Sequence, residues 1–335
     1  MTPVDEDGLL PVVRAADLAD VPEQSRWLIE SLWTRAGVGI LGGAPKCCKS
    51  WLALDLAVSV ASQTPCLQHF AVADPGSVLI YMAEDATDVI KQRLLGICRH
   101  RSLQIASLDL QVVTAAALRL DQSRDQYRLR HTVAKLKPRL LILDPMVRLH
   151  RCDENDAGQI SALLAYLRQI QREHDVAVLL VHHARKQGAS SDHVAHGQRL
   201  RGSGDLHAWG DSNLYLHRRR DQLALAVEHR SAATPAPLLL TLDATVSDAV
   251  HLRIDPSAQY DGPTRREHTD LASTVTAALE QARKPMSRSE LRAALRIRNE
   301  RLGPVLADLV KQGVVLHVGQ SFQHVAVPIP VPANP

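Results

Sequence analysis

The 335-residue sequence predicts an α/β fold with a mainly parallel, doubly wound sheet, followed by a smaller C-terminal domain. Three observations lead to this expectation. Short, continuously apolar runs alternate with helical patterns, as in sheets that helices cover on both faces. A phosphate-binding loop motif lies between the first apolar run and the first helix. Carboxylates directly follow two later runs, at the sheet edge where ligands bind in such folds.

The composition is that of an ordinary soluble globular protein, with 45% hydrophobic residues, 22% charged residues and a net charge of +3. The length accommodates one domain of about 200–250 residues and a smaller one. No apolar run approaches the roughly 20 residues that a membrane span needs, so a cytoplasmic protein without membrane association is expected. The five cysteines show no disulfide or zinc pattern. Aromatic residues are only 3%, which argues against a stacking platform for single strands.

Residues 1–36 are interpreted as a lead-in, and 37–254 as the core in which strand and helix patterns alternate. Covered parallel strands are expected at 38–41, 78–82, 110–113, 140–143 and 176–181. Helices are expected at 51–58, 88–101, 124–136 and 157–174. Four later runs have no long helix between them. They are therefore expected to extend the sheet as antiparallel strands, at 213–217, 222–229, 238–242 and 249–254.

The stretch 42–50 reads Gly-Gly-Ala-Pro-Lys-Cys-Cys-Lys-Ser and matches G-x-x-x-x-G-K-[ST], with Cys48 in place of the second glycine. In such a loop, backbone N–H groups bind phosphates, the lysine supplies a cation to the β and γ phosphates, and the serine hydroxyl binds Mg²⁺. A chance Gly-Pro loop is the alternative. ATP is the expected ligand, contacted by Gly43, Ala44, Pro45, Lys46, Cys47, Cys48, Lys49, Ser50 and Trp51.

Carboxylates follow two of the predicted strands. Asp144 comes directly after 140–143 and is expected to orient Mg²⁺ through water, with a simple Asp-Pro turn as the alternative. Glu84 and Asp85 follow 78–82. Glu84 is the expected general base for the water that attacks the γ-phosphate, and Asp85 is expected to cap the next helix or to support the site.

Two histidines, His182 and His183, end the run 176–181. Neighbouring residues of a strand point to opposite faces, so only one of them is expected to face the nucleotide, and a two-histidine metal site is not expected. His183 is the preferred sensor of the γ-phosphate. A hydrogen-bonded structural histidine is the alternative.

A long polar loop follows, over 184–206, and loops of this length inside a compact domain are usually functional or disordered. Arg201 is a candidate finger for the γ-phosphate of a neighbouring subunit. Arg185 and Lys186 are candidate contacts to nucleic-acid phosphates. A solvated loop without such roles is the alternative.

The C-terminal part divides into a linker over 255–269, a compact domain over 270–328 and a disordered tail over 329–335. Three helices and a hairpin are expected in the compact domain, which is the order of a winged helix. Ser287 and Glu290 match a capping box at the start of its second helix.

The start of the third helix in this domain carries arginines at the position that faces DNA in helix-turn-helix proteins, including Arg298 and Arg301. Gly303 and Pro304 weaken the first turns of that helix. Winged helices also contact proteins, so a replication or loading partner is the alternative to DNA at this domain.

Five stretches carry a resemblance to a known family, namely 41–50, 81–85, 141–145, 181–186 and 201–204. Together they resemble the RepA-like branch of the RecA-type P-loop ATPases, which includes hexameric replicative helicases of plasmids and phages. The resemblance covers roughly 24–254 and implies a RecA-like core and a homo-oligomeric ring, usually a hexamer, with ATP bound between subunits. It also implies that the site residues of the family are Lys49, Ser50, Glu84, Asp144, His183 and Arg201.

The leading hypothesis is an ATP-driven motor that moves along single-stranded DNA and serves as a replicative helicase of a mobile element. Cys48 is the departure from the family pattern, because a glycine there permits close phosphate approach and unusual dihedral angles. The alternative is a regulatory or scaffolding ATPase that assembles with ATP and does not unwind DNA. A weaker third hypothesis is a recombination mediator that coats DNA.

Overall fold

The structure is a computed structural model. It describes residues 12–18, 20, 22–152, 157–183, 204–219, 222–255, 265–282, 284–295, 297, 299–318 and 321–325. The described part of the chain divides into two compact units, one before residue 261 and one after it. None of the described helices has the length and apolarity needed to cross a membrane.

A mixed sheet organises the first unit, preceded by a short hairpin of β1 (Trp27–Ile29) and β2 (Trp33–Thr34). In the described residues nine strands pair in the order β11-β10-β9-β8-β3-β7-β6-β4-β5. These strands are β3 (Val38–Gly43), β4 (Val78–Met82), β5 (Leu110–Val112), β6 (Leu140–Asp144), β7 (Ala177–His183), β8 (Ser212–Arg219), β9 (Gln222–His229), β10 (Leu238–Asp243) and β11 (His251–Ile254).

Within the part β8-β3-β7-β6-β4-β5 of this order, each strand pairs in parallel with the next. The predicted α/β class with a mainly parallel sheet is therefore confirmed. Strands β9, β10 and β11 add antiparallel pairs, as predicted. Strand β8 pairs antiparallel with β9, as predicted, but its other neighbour is β3, to which it runs parallel against the prediction. The chain enters β8 from the same side as the other parallel strands, through the connection that ends in α5 (Gly204–Trp209).

Helices cover both faces of this sheet: α1 (Lys49–Ser62), α2 (Thr87–His100), α3 (Ser123–Leu136) and α4 (Ala157–His174). One apolar cluster contains α1 and α2 with the first hairpin, and another contains α3 and α4. The position of β7 between these two clusters explains why its sequence is continuously apolar. Leu179 contributes to the first cluster and Leu180 to the second, since successive side chains leave a strand on opposite faces.

A buried ion pair fixes α1 to the residue that follows α2. Arg101 Nη2 lies 2.6 Å from Asp55 Oδ2, and the two side chains are only 5% and 2% exposed. The second oxygen of Asp55 accepts a 2.8 Å hydrogen bond from the backbone N–H of Leu67. Arg101 also donates to the hydroxyls of Ser59 and Thr64. These contacts satisfy the buried charges and hold α1, the helix that follows the phosphate loop.

The second unit has its own small core, in which Leu279, Leu291, Leu306 and Phe322 are buried. Its elements are α6 (Arg265–Ala282), β12 (Met286–Ser287), α7 (Arg288–Leu295), α8 (Asn299–Lys311), β13 (Val315–Val318) and β14 (Ser321–His324). Helix α6 begins inside the range 255–269 that was expected to be a linker. Three helices and a hairpin follow one another here as expected from the sequence, and the winged-helix assignment stays a prediction.

The predicted capping box at the start of α7 is present. Ser287 Oγ accepts from the N–H of Glu290 at 3.2 Å, and Glu290 Oε2 accepts from the N–H of Ser287 at 2.7 Å. Two of the N–H groups that a helix start leaves without intrahelical partners are thereby satisfied. These hydrogen bonds also hold the pKa of Glu290 below its ordinary value.

Candidate nucleotide-binding site

The carboxyl ends of four parallel strands meet at one edge of the sheet. Gly43 at the end of β3 is opposite His183 on β7, and Met82 on β4 is opposite Asp144 on β6. A cavity of about 280 Å³ opens at this edge. It is lined by residues 46–51 and by Met82, Glu84, Asp85, Arg93, Asp144 and His183. The structure therefore brings the loop motif, both strand-end carboxylates and one histidine to one place.

The loop between β3 and α1 needs an unusual backbone. A Cβ atom on Gly43 would lie 2.5 Å from the carbonyl oxygen of Leu216 and 2.7 Å from Cys47 Sγ, so only glycine fits there. Lys46 and Cys48 both have a φ of 63°, in the left-handed region. Alternation of this conformation with ordinary backbone is how proteins build anion-binding concavities. The loop thus has the backbone type that a phosphate site requires.

Lys49 is almost fully buried at the first position of α1. Its Nζ donates to the carbonyl oxygens of Gly43 at 3.0 Å and Ala44 at 2.8 Å. Burial lowers the pKa of Lys49, which the neighbouring Cys47 and Asp144 partly oppose. The ammonium group is therefore held beneath the loop by carbonyl oxygens and borders the cavity.

Ser50 and Asp144 are in direct contact. Ser50 Oγ donates a 2.7 Å hydrogen bond to Asp144 Oδ2, and Asp144 is buried. Burial, opposed by this hydrogen bond and assisted by the nearby Asp85 and Glu84, raises the pKa of Asp144 to about 6. A hydroxyl beside a carboxylate is a set of oxygen donors that suits Mg²⁺, which is usually held by few protein ligands and by phosphates. The residues present fit a magnesium nucleotide.

Glu84 lies at the rim of the cavity, and two basic side chains contact it. Arg148, at the end of the short 3-10 turn Met146–Arg148, donates from Nε to Glu84 Oε1 at 2.8 Å. His183 Nε2 lies 3.8 Å from Glu84 Oε2. Arg148 was not predicted as a residue of this site, because its contact with Glu84 joins the ends of two different strands.

Asp85 does not cap α2, so the first of its two predicted roles is wrong and support of the site stays a prediction. Ala86 occupies the N-cap position and makes no side-chain cap hydrogen bond. Asp85 instead pairs with Arg93, whose Nη1 lies 2.6 Å from Asp85 Oδ2. The guanidinium of Arg93 also lies over the Trp51 ring, 5.6 Å from its centroid. Arg93 and Trp51 thus form a second wall of the cavity, and only Trp51 was expected there.

The two histidines that end β7 face different surroundings. His183 lines the cavity, and its side chain is 34% exposed, whereas His182 is 2% exposed and is buried in the sheet. The alternation of side chains along β7 accounts for the difference. Of the two histidines, His183 is thus the one that borders the cavity.

The thiol of Cys48 lies at the outer side of the loop, where Arg218 Nη2 on β8 is 3.8 Å from Cys48 Sγ. Cys47 is buried, and burial raises the pKa of its thiol. Four of the predicted contacts lie outside the described residues, namely Arg185, Lys186, Arg201 and Arg298. The side chain of Arg301 is also not among those described.

Comparison with known proteins agrees with this geometry. A family model described as an AAA domain (AAA_25) matches residues 4–189. A solved DnaB-like replicative helicase, described together with its interactions with primase, is 17% identical, with a TM-score of 0.50 over 62% of this chain and 56% of the helicase chain. The RadB recombinase is 16% identical, with a TM-score of 0.46 over 65% of this chain and 90% of that one. The chain thus spans a little over half the length of the helicase, and its fold is that of the RecA-type P-loop ATPases. No curated protein matches the sequence.

Proposed function

Because the chain belongs to the AAA domain family, whose model covers more than half of its sequence, we propose that it binds and hydrolyses ATP as a RecA-type motor on DNA. One observation carries the proposal. The phosphate-loop lysine, the Ser50–Asp144 pair, Glu84 and His183 all border one cavity of about 280 Å³. A lysine, a serine–aspartate pair and a separate carboxylate are the parts that ATP hydrolysis needs.

In this function Lys49 binds the β and γ phosphates, and nucleotide oxygens replace the carbonyl partners of its Nζ. Ser50 and Asp144 hold Mg²⁺, which when bound neutralises phosphate charge during transfer. Glu84 accepts a proton from the attacking water as general base. His183 lies between the phosphate loop and Glu84 in the strand order, a position suited to sensing the γ-phosphate.

The finer form of the proposal is a RepA-like replicative helicase. It is a homo-oligomer, a hexameric ring with ATP bound between subunits, in which Arg201 reaches the site of its neighbour. Single-stranded DNA is the substrate track, with Arg185 and Lys186 as contacts. The winged-helix-like domain, through Arg298 and Arg301, contacts DNA or a replication partner. The motif resemblance and the fold shared with a DnaB-like replicative helicase support this form.

The test is ATP hydrolysis with and without single-stranded DNA, beside strand displacement on a forked duplex. We expect DNA-stimulated hydrolysis, directional displacement and, by negative-stain imaging, rings that depend on ATP. Lys49→Ala should lower hydrolysis by about 100-fold or more, since it removes a charge-assisted contact to the transferred group. Stimulated hydrolysis without displacement would refute the helicase form, and no hydrolysis above the Lys49→Ala level would refute the motor.

A separate observation, at Cys48, supports a second candidate function. Cys48 holds a left-handed backbone conformation at the position where the motif has glycine, and it is one of the residues that line the cavity. A loop crowded at this point favours slow turnover. The second candidate is therefore a regulatory or scaffolding ATPase that assembles with ATP. Rings that form with ATP in the absence of strand displacement would favour this candidate.

A further inference from the structure

Arg148 occupies one oxygen of the carboxylate that is proposed above as the general base. Its Nε lies 2.8 Å from Glu84 Oε1, while Oε2 faces His183 at 3.8 Å. The ion pair with Arg148 fixes the direction in which the Glu84 carboxylate points. In the conformation observed, Glu84 is therefore restrained.

The restraining contact is open to exchange. The side chain of Arg148 is 57% exposed and that of Glu84 43% exposed. Ion pairs with this much exposure contribute little to stability, so another anion can replace the carboxylate at Arg148 with little loss. A guanidinium binds phosphate in the same two-pronged way as it binds a carboxylate.

A second cavity, of about 490 Å³, shares Glu84 as a lining residue with the nucleotide cavity. Arg148 and Arg119 line it, and its remaining walls are a tyrosine and three alanines. Arg119 Nη1 donates to the carbonyl oxygens of Arg148 and His150 and so braces the turn that carries Arg148. Arg119 donates its backbone N–H to Asp125, but its guanidinium forms no ion pair with the described carboxylates, so Glu84 is the one acidic residue beside the two guanidinium groups that line the cavity. The cavity is a net positive site with room for an anion.

We propose that this second cavity binds a phosphodiester group of single-stranded DNA and that the DNA phosphate replaces Glu84 as the partner of Arg148. Arg148 is then a positioning residue. Without DNA it restrains Glu84, and with DNA it releases Glu84 toward the water that attacks ATP. This inference rests on the ATPase function proposed above and supplies a route by which DNA stimulates hydrolysis.

The first test is Arg148→Gln, which removes the charge and keeps a polar side chain. We expect hydrolysis without DNA to rise about fivefold, and stimulation by oligothymidylate to fall toward none, because Glu84 is already free. Arg151→Gln is the matched control, since Arg151 is an exposed arginine on the same loop without an ion pair in the described part of the chain. An unchanged or lowered basal rate in Arg148→Gln would overturn the proposal.

A second measurement does not depend on hydrolysis. If Glu84 and DNA compete for Arg148, Glu84→Gln should tighten binding of labelled oligothymidylate by about fivefold. The gain should be absent when Glu84→Gln is combined with Arg148→Gln. Equal affinity in the wild type and Glu84→Gln would overturn the inference even in a protein that hydrolyses ATP. A gain seen in a protein that does not hydrolyse ATP would support the site while refuting the proposed function.

A third measurement distinguishes nucleic acid from free phosphate as the ligand of the second cavity. Inorganic phosphate at millimolar concentration should not raise the basal rate of the wild type as oligothymidylate does. Equal stimulation by the free ion would overturn the assignment of the cavity to nucleic acid.

Discussion

Ser50 Oγ donates a 2.7 Å hydrogen bond to Asp144 Oδ2, joining the start of α1 to the end of β6 across 94 residues of sequence. The contact places a hydroxyl and a buried carboxylate side by side at the cavity. Without a cation, the carboxylate is costly to bury in its charged form, which is why the pKa of Asp144 is raised to about 6. Two predictions follow from this one contact.

Asp144→Asn should stabilise the nucleotide-free protein at neutral pH. The pKa of Asp144 in the folded protein, about 6, lies above its ordinary value. The folded state therefore loses stability as the pH rises from that ordinary value to about 6, and it does not regain this stability at higher pH. The variant should gain up to about 3 kcal/mol at pH 8 and about 1.5 kcal/mol at pH 5, measured by chemical denaturation. A gain that does not shrink at pH 5 would contradict the titration of Asp144.

The metal-dependent part of nucleotide affinity should weaken in acid. Protons compete with Mg²⁺ for Asp144, so the gain in ATP affinity on adding Mg²⁺ should fall by up to about tenfold per pH unit below about 6. Titration of a fluorescent ATP analogue with Mg²⁺ and with a chelator, at pH 5 and pH 8, measures this gain. The same gain should be small and independent of pH in Asp144→Asn, which serves as the control.

Substitutions at Cys48 should separate the effect of backbone strain on stability from the effect of the thiol. Because Cys48 has a φ of 63°, Cys48→Gly should be more stable than Cys48→Ala by about 1 kcal/mol, the reverse of the order within a helix. Cys48→Ala retains the strained Cβ and loses only the sulfur, so comparison with the wild type isolates the sulfur. Thermal unfolding of the three proteins gives the order, and a less stable glycine variant would argue against strain at this position.

Arg101→Met should strongly destabilise the first unit. It leaves the carboxylate of Asp55 buried without its cation, an arrangement that typically costs about 3–5 kcal/mol. Adding Asp55→Asn should recover at least about 1 kcal/mol of that loss, because the two residues act as a pair. Denaturant unfolding of both single variants and the double variant tests this, and additive losses would show that the pair is not coupled.

Much of the sheet could be predicted because its parallel strands are apolar on both faces, as the division of Leu179 and Leu180 between two clusters illustrates. The direction of β8 could not. A parallel connection usually reveals itself through a long helical pattern, and the described helix before β8 is only Gly204–Trp209. Strand direction here depends on the path of the chain, which apolar periodicity does not encode.

Some residues of the candidate site could likewise be predicted from the sequence, and others could not. Lys49, Ser50 and Asp144 follow from spacing, because a loop motif and a strand end place them locally. Arg148 and Arg93 do not, since each is defined by a carboxylate on another element, and nothing in the sequence pairs Arg148 with Glu84 over 64 positions. Of the two roles predicted for Asp85, the cap is absent, because its carboxylate pairs with Arg93 eight residues further along the chain.

Strand β3, which carries the phosphate loop, is flanked by β7 on one side and by β8 on the other. The connection from β7 to β8 therefore leaves the sheet on one side of β3 and returns on the other. One end of that connection, at His183, pairs with Gly43 beside the phosphate loop, whereas the other end enters β8 beside Val38, at the opposite end of β3. Strand β3 is thus enclosed in the sheet by the two strands that this one connection joins.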